Sequence, residues 1–245
     1  MNILITGASR GIGRAIAIEL ARAGYRVALV ARNEEALVAV ARESEHEGGI
    51  AIPFVCDITD SERVGALRDH VTASLGTLDV LINNAGVAPS LKVEDTTDLQ
   101  WHSAFATNVD AAFYLTRAFA ADLKSSREGR IINIASTAAL EGFAYTAAYT
   151  ASKHALLGFA RAIAKEFARS GVTVTTICPG FVRTDILEES IANIVTKTGK
   201  TRAEAEAQLG AMNRSGSIIE PEAVAHEVLA ALAFASNPNG YEIIL

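Results

Sequence analysis

Asn2-Ile-Leu-Ile-Thr6-Gly7-Ala8-Ser9-Arg10-Gly11-Ile12-Gly13 opens the chain, and its reading decides the fold. Asn2 to Thr6 is a short apolar run, suited to a strand buried on both faces of a parallel sheet. The glycines follow at once, and then Ile16, Leu20 and Ala23 recur at helical spacing. Strand, Gly-rich turn, helix is the context that a dinucleotide site requires. Glycines let the backbone approach a pyrophosphate, and the helix N-terminus supplies free N–H groups and a positive dipole end. The spacing is GxxxGxG rather than the commoner GxGxxG, so the cluster taken alone suits an ordinary glycine turn equally well.

The same residues satisfy GxSxG, as Gly7-Ala8-Ser9-Arg10-Gly11, the pattern of a nucleophile elbow. An elbow needs upstream strands and an oxyanion loop before it. Only a few residues precede Ser9, and that reading fails on chain order.

Working outward, strand-like runs recur at 26–31, 50–56, 78–82, 129–135, 172–178 and 241–245. Helical patterns separate them at 34–47, 61–74, 99–123, 147–169 and 220–235. In the helix at 99–123, Phe105, Val109, Ala112 and Phe113 are expected on one apolar stripe. This alternation predicts an α/β fold: a doubly wound, parallel sheet of about seven strands with helices on both faces. No repeat, low-complexity tract or linker interrupts it, so residues 1–245 read as a single Rossmann domain. Residues 184–216 form a long connection with two helix-like pieces. Leu187, Ile191, Ile194 and Val195 give the first piece an apolar face. A long insertion past a strand's carboxyl end suits a substrate lid, or packing against the domain body.

Half of the 245 residues are hydrophobic and a fifth are charged, as in a globular protein with a sizeable core. The formal charge of −6 argues against nucleic acid or an anionic membrane as partner. Cys56 and Cys178 both end strand-like runs and read as buried free thiols, and no Cys/His spacing suits a metal. The chain begins directly on a strand, with no signal-type n- and h-regions and no bilayer-length apolar stretch, so a cytoplasmic protein is expected.

An NAD site places an acid about 20 residues past the glycines, where it bonds the ribose 2′-hydroxyl. Ala31 holds that place, with Arg32 next to it and Arg10 inside the Gly-rich turn. Guanidinium binds phosphate in a bidentate, charge-assisted way, so NADP (NADPH) is the expected cofactor. Asp57, at the end of the third strand, is placed to accept a hydrogen bond from an adenine amino group, or to cap the next helix with Asp60. Asn83-Asn84-Ala85-Gly86 ends the fourth strand. Its small residues admit a cofactor, and its amides can bond neighbouring strand ends. Tyr149 and Lys153 stand four apart on a helix, so a phenol and an ammonium share one face. The positive charge is expected to lower the phenol's pKa from about 10. Tyr145 has Tyr149, not a lysine, four residues on. Asn108 places a polar amide within the apolar helix at 99–123, where it needs partners.

Taken in order, Thr6-Gly-Ala-Ser-Arg-Gly-Ile-Gly13, Asn83-Asn-Ala-Gly86, Asn108, Ser136, Tyr149-xxx-Lys153 and Cys178-Pro-Gly180 resemble the short-chain dehydrogenases/reductases along nearly the whole chain. The stretch from Tyr149 to about Met212 looks most like members acting on 3-oxoacyl or 3-hydroxyacyl thioesters and polyketide chains. The resemblance implies a catalytic set of Asn108, Ser136, Tyr149 and Lys153. It also implies a cofactor surface of Gly7, Ser9, Arg10, Gly11, Ile12 and Gly13, joined by Arg32, Asp57, Ile58, Asn84, Ala85 and Gly86. Tyr149, Lys153, Pro179, Gly180, Val182 and Thr184 would complete it, with no metal. Family chains commonly run past the last strand into a glycine-rich end, whereas this one stops at Leu245, so either no C-terminal contribution to subunit contacts or a shortened tail is expected.

The implied reaction is hydride transfer from NADPH to a carbonyl carbon. Ser136 would hydrogen-bond the carbonyl oxygen, Tyr149 would protonate it and Lys153 would tune Tyr149 and hold the nicotinamide ribose. Asn108 would hold a water that links Lys153 to bulk. The substrate is expected to be a carbonyl or alcohol, most simply an acyl thioester. A small ketone, sugar or polyol, or a non-catalytic NADP sensor, are the other readings. A homotetramer or homodimer, packed through the helices at 99–123 and 147–169, is implied by resemblance alone.

Overall fold

The computed structural model describes residues 1–233 and 238–245. Seven strands form one wholly parallel sheet in the order β3-β2-β1-β4-β5-β6-β7. They are β1 (Asn2–Thr6), β2 (Arg26–Ala31), β3 (Ile50–Val55), β4 (Val80–Asn83), β5 (Arg130–Ile134), β6 (Thr173–Cys178) and β7 (Tyr241–Ile244). The helices are α1 (Gly11–Arg22), α2 (Glu34–His46), α3 (Ser61–Leu75), α4 (Asp98–Phe105) and α5 (Ala111–Ser125). They continue with α6 (Ala147–Phe167), α7 (Asp185–Thr198), α8 (Arg202–Gly210) and α9 (Pro221–Ala233).

Side-chain alternation splits the sheet between two cores. Ile3 and Ile5 of β1, Val80 and Ile82 of β4, and Ile132 and Ile134 of β5 face α1, α2 and α9. The intervening Leu4, Leu81 and Ile131 face α3, α5 and α6. That period of two is what a strand imposes, and both faces being apolar is what a parallel sheet between two helix layers requires. After β3 the chain returns across β1 to start β4, so the strand order reverses between β1 and β4. Ligand clefts in such sheets form at that reversal, beyond the strands' carboxyl ends.

The stretch expected as one helix over 99–123 is two helices joined by a π-turn, Ala106–Asp110. The π-turn holds one extra residue per turn and rotates everything after it. The expected stripe is therefore wrong at its end. Ala111, Leu115 and Phe119 face the core, while Phe113 is exposed. The helix expected at 220–235 runs over Pro221–Ala233, and its expected last residues, Phe234 and Ala235, lie outside the described residues. Among the described residues no helix is long and apolar enough to cross a membrane.

Candidate active site

A cleft of about 240 Å³ opens over the carboxyl ends of β1 and β4. Its floor is the Gly-rich turn. Gly7 and Gly11 have φ of +66° and +53°, which favours glycine. A Cβ on Gly13 would stand 2.2 Å from the Gly7 carbonyl oxygen. Thr6 locks the turn to the next loop: its Oγ1 accepts from the N–H groups of Asn84 (3.0 Å) and Ala85 (3.1 Å). Asn84 Nδ2 returns a bond to the Thr6 carbonyl at 2.8 Å, and Asn83 Nδ2 donates to Asn133 Oδ1 at 2.9 Å. The asparagines thus tie neighbouring strand ends, as their position suggests.

α1 starts at the cleft with no side chain capping it. The N–H groups of its first turn are left for another acceptor, and the dipole end is positive. A glycine-floored cleft with an uncapped helix end fits a dinucleotide pyrophosphate. At the far end Arg32 is exposed and lines the same cleft as Asp57. The Asp57 carboxyl accepts from Thr59 Oγ1 at 2.7 Å and Thr59 N at 3.0 Å. These bonds, and then the charge of Arg32, hold it below the usual carboxylate range. Asp60 alone caps α3, accepting from Glu62 N and Arg63 N, so the joint cap with Asp57 does not form. Arg10 faces the cleft but is already paired, its Nη1 2.7 Å from Asp185 Oδ2.

Tyr149 and Lys153 sit in the first turns of α6, after a loop held by Leu91 N donating to the Tyr145 carbonyl at 2.8 Å. Lys153 is buried, its Nζ 5.8 Å from the centre of the Tyr149 ring and donating to the Ile134 carbonyl at 2.9 Å. Burial pulls the Lys153 ammonium down to about 8. The expected lowering of Tyr149 is not what the geometry gives. Burial pushes its hydroxyl up, opposed by hydrogen bonding from Ser136. The ammonium lies toward the ring and is turned to a backbone carbonyl, so desolvation dominates at the phenol.

Ser136 follows β5 with extended backbone and accepts from Ala138 N at 3.1 Å. That bond aims the oxygen and leaves its proton to donate. Asn108 projects inward from the π-turn and is buried. Its Oδ1 accepts from Val87 N at 2.9 Å, and its Nδ2 donates to Val87 O at 2.9 Å and Ser152 Oγ at 2.8 Å. Both amide protons are engaged, so this side chain has no donor left for a water and only a spare acceptor site. Gly86 separates the two groups: a Cβ there would lie 3.2 Å from Asn108 Oδ1 and 3.5 Å from Lys153 Nζ.

A second pocket of about 150 Å³ adjoins the cleft, and Tyr149 lines both. Ser136 borders the second pocket only. Of the expected cofactor residues, Pro179, Gly180 and Val182 line this second pocket rather than the cleft, because the chain turns away after β6. The remaining fifteen, from Gly7 to Thr184 and including Ser9, Ile12, Ile58 and Lys153, all line the cleft. The second pocket's walls include Phe143, Phe181 and Ile186, which sequence reading did not single out, and Leu187, which it placed on the apolar face of the insertion. Phe181, an aromatic directly after Pro179-Gly180 at a strand's end, carried the one available signal.

The family model of the short chain dehydrogenases matches residues 1–194. A 3beta-hydroxysteroid dehydrogenase of Mediterraneibacter gnavus is 38% identical over 203 residues, covering 82% of this chain and 73% of the relative. The 3-oxoacyl-acyl-carrier-protein reductase FabG of Escherichia coli K12 is 36% identical over 183 residues, covering 75% of this chain and 74% of the relative. A crystal structure of an actinorhodin polyketide ketoreductase variant with NADPH superposes with a TM-score of 0.94 at 31% identity, covering 100% of this chain and 95% of that one. The glycines of the cleft floor, the Tyr149/Lys153 pair and the fold all point the same way, and the chain belongs to the short-chain dehydrogenases, a family of nicotinamide-dependent oxidoreductases.

Proposed function

We propose that this enzyme uses NADP(H) to interconvert a ketone and a secondary alcohol, with a 3-oxoacyl thioester or polyketide-like chain as substrate. One observation carries the reading: Tyr149 borders both the dinucleotide cleft and the second pocket, with Lys153 behind it and Ser136 across from it. A carbonyl held at that junction meets a proton donor and a hydrogen-bond donor together.

NADPH, when bound, supplies a hydride to the carbonyl carbon. Ser136 donates to the carbonyl oxygen and stabilises the charge that develops there. Tyr149 gives that oxygen its proton. A phenol of ordinary or raised pKa holds its proton at neutral pH, so the hydroxyl has one to give. Lys153, still charged below about pH 8, supports the phenolate left behind and is placed to bond the nicotinamide ribose. Asn108 fixes Val87 and Ser152, and through them the loop after β4 and the turn that carries Lys153. Arg32 and Arg10 would hold the 2′-phosphate and Gly7 to Gly13 the pyrophosphate.

The second pocket favours an uncharged acyl chain. None of the residues lining it carries a charge, and Phe143, Phe181, Val182, Ile186 and Leu187 make most of its wall apolar. A substrate carrying a fixed charge would lose water there with no opposite charge to replace it. The α7–α8 insertion, with Leu187, Ile191, Ala205 and Leu209 in a small core of its own, borders this pocket through Ile186, Leu187 and Ser190 of α7, where a lid would sit. A homotetramer or homodimer packed through α4 and α5 is supported by Leu99, Trp101 and Phe113, large apolar side chains left exposed on these helices.

The deciding experiment follows absorbance at 340 nm with NADPH and NADH against 3-oxoacyl thioesters, simple ketones and keto-sugars. Turnover is expected with thioesters and NADPH. Turnover of keto-sugars alone overturns the substrate class, and no turnover of any carbonyl overturns the enzyme reading.

A further inference from the structure

We propose that Asn213 is a positioning residue that fixes the substrate-facing wall by gripping the main chain of Phe181. Asn213 lies in the loop after α8 and is buried. Its Oδ1 accepts from Phe181 N at 2.7 Å, and its Nδ2 donates to Phe181 O at 2.9 Å and Ser217 O at 2.8 Å. One amide therefore answers both polar groups of one residue, as a neighbouring strand would. Asn108 makes the same pair of bonds to Val87, 2.9 Å each, in the loop after β4. Two buried amides thus grip the loops that leave β4 and β6.

Gly180 is cut to fit this grip. A Cβ on it would stand 2.1 Å from Asn213 Oδ1, closer than any real contact. Phe181 O also accepts from Ile219 N at 3.0 Å, and Val182 pairs with Ile219 in an isolated parallel bridge. The segment leaving β6 is therefore stitched to the far end of the α7–α8 insertion. What it carries into the pocket is the Phe181 ring, edge-on to Phe143 at 6.1 Å and 77°. Gly180 and Phe181 border the second pocket and not the dinucleotide cleft. Loosening the grip should misplace the wall that meets substrate and leave cofactor binding intact.

The kinetic arm rests on the ketone-reductase reading, while the folding arm does not. In the kinetic arm, Asn213→Asp keeps the shape and the acceptor but faces the Phe181 and Ser217 carbonyls with lone pairs. KM for the benzoylacetyl thioester of N-acetylcysteamine is expected to rise about tenfold or more, with kcat within about threefold. The dissociation constant of NADPH, read by its fluorescence, should stay within about twofold. An unchanged KM with a lowered Tm, or equal losses in KM, kcat and NADPH binding, overturns the positioning role. If Asn213→Asp does not fold, Gly180→Ala pushes the same amide away and should show the same rise in KM. In the folding arm, Gly180→Ala should lower Tm by roughly 3 °C or more in the otherwise native chain, and by less than about 1 °C in an Asn213→Ala background. Equal drops in both backgrounds overturn the contact. If the native enzyme reduces no carbonyl, the functional reading fails, and the folding arm still decides the grip.

Discussion

Arg10 Nη1 lies 2.7 Å from Asp185 Oδ2, so the Gly-rich turn is joined to the first residue of α7 across the mouth of the cleft. Both side chains are about two-thirds exposed, at 67% and 63%. An exposed pair of this kind contributes roughly 0–1 kcal/mol. A phosphate dianion, taking a bidentate guanidinium contact, competes well against it. Asp185→Asn removes the competitor. It should lower KM for NADPH about two- to fivefold and leave KM for NADH unchanged, since the energy released is under about 1 kcal/mol. A rise in KM for NADPH would show that Asp185 assists the cofactor instead.

Arg32 has no salt-bridge partner within 4 Å among the described residues and faces Asp57 across the cleft. Arg32→Ala should weaken NADPH binding roughly 10- to 100-fold, as expected for losing a charge-assisted phosphate contact of about 1.5–3 kcal/mol. NADH should be held within a few fold, by titration of each reduced cofactor. Equal loss for both would mean that the 2′-phosphate is read elsewhere.

Lys153 gives a stability signature. Its folded pKa of about 8 lies below the unfolded value near 10.4, so the unfolded chain keeps the proton to higher pH. The burial penalty is therefore fully present below pH 8 and is relieved as pH rises toward 10. Tyr149 works the other way above pH 10, where the unfolded phenol ionises first. Lys153→Met should be inactive yet more stable at pH 7, by on the order of 1–3 kcal/mol. Urea unfolding at pH 7, 8, 9 and 10 should show that gap closing. A gap that is constant or widens contradicts the buried charge.

Much of the fold was legible because each element of β1–α1 carries a strong local signal: period-two packing, glycines where φ is positive, and helical spacing after them. The π-turn was not legible. Its cause is tertiary: Asn108 must turn inward to reach Val87 and Ser152, both distant in sequence. The direction of the Tyr149 shift was not legible for a similar reason. Residue spacing reveals the neighbouring ammonium but not the partly buried setting of the phenol or the Ile134 carbonyl that claims Lys153. Asn213 left no mark at all, since its meaning lies in a backbone 32 positions away.

Gly158 tests assembly. It is exposed in the middle of α6, and a Cβ there would meet nothing within 4 Å in the single chain. Gly158→Ala should stabilise an isolated protomer by roughly 0.5–1 kcal/mol. If α6 packs against its copy, the methyl group lands in an interface instead, and sedimentation should show a shift toward smaller species. A stabilised variant with unchanged assembly would place the contact elsewhere.

The most direct measurement is single-turnover reduction of a 3-oxoacyl thioester by Tyr149→Phe, with NADPH affinity measured on the same sample. Removing only the hydroxyl should cut the rate at least about 100-fold, as losing a general acid does, while NADPH binds within a few fold. A near-native rate, with cofactor bound normally, would contradict Tyr149 as the proton donor.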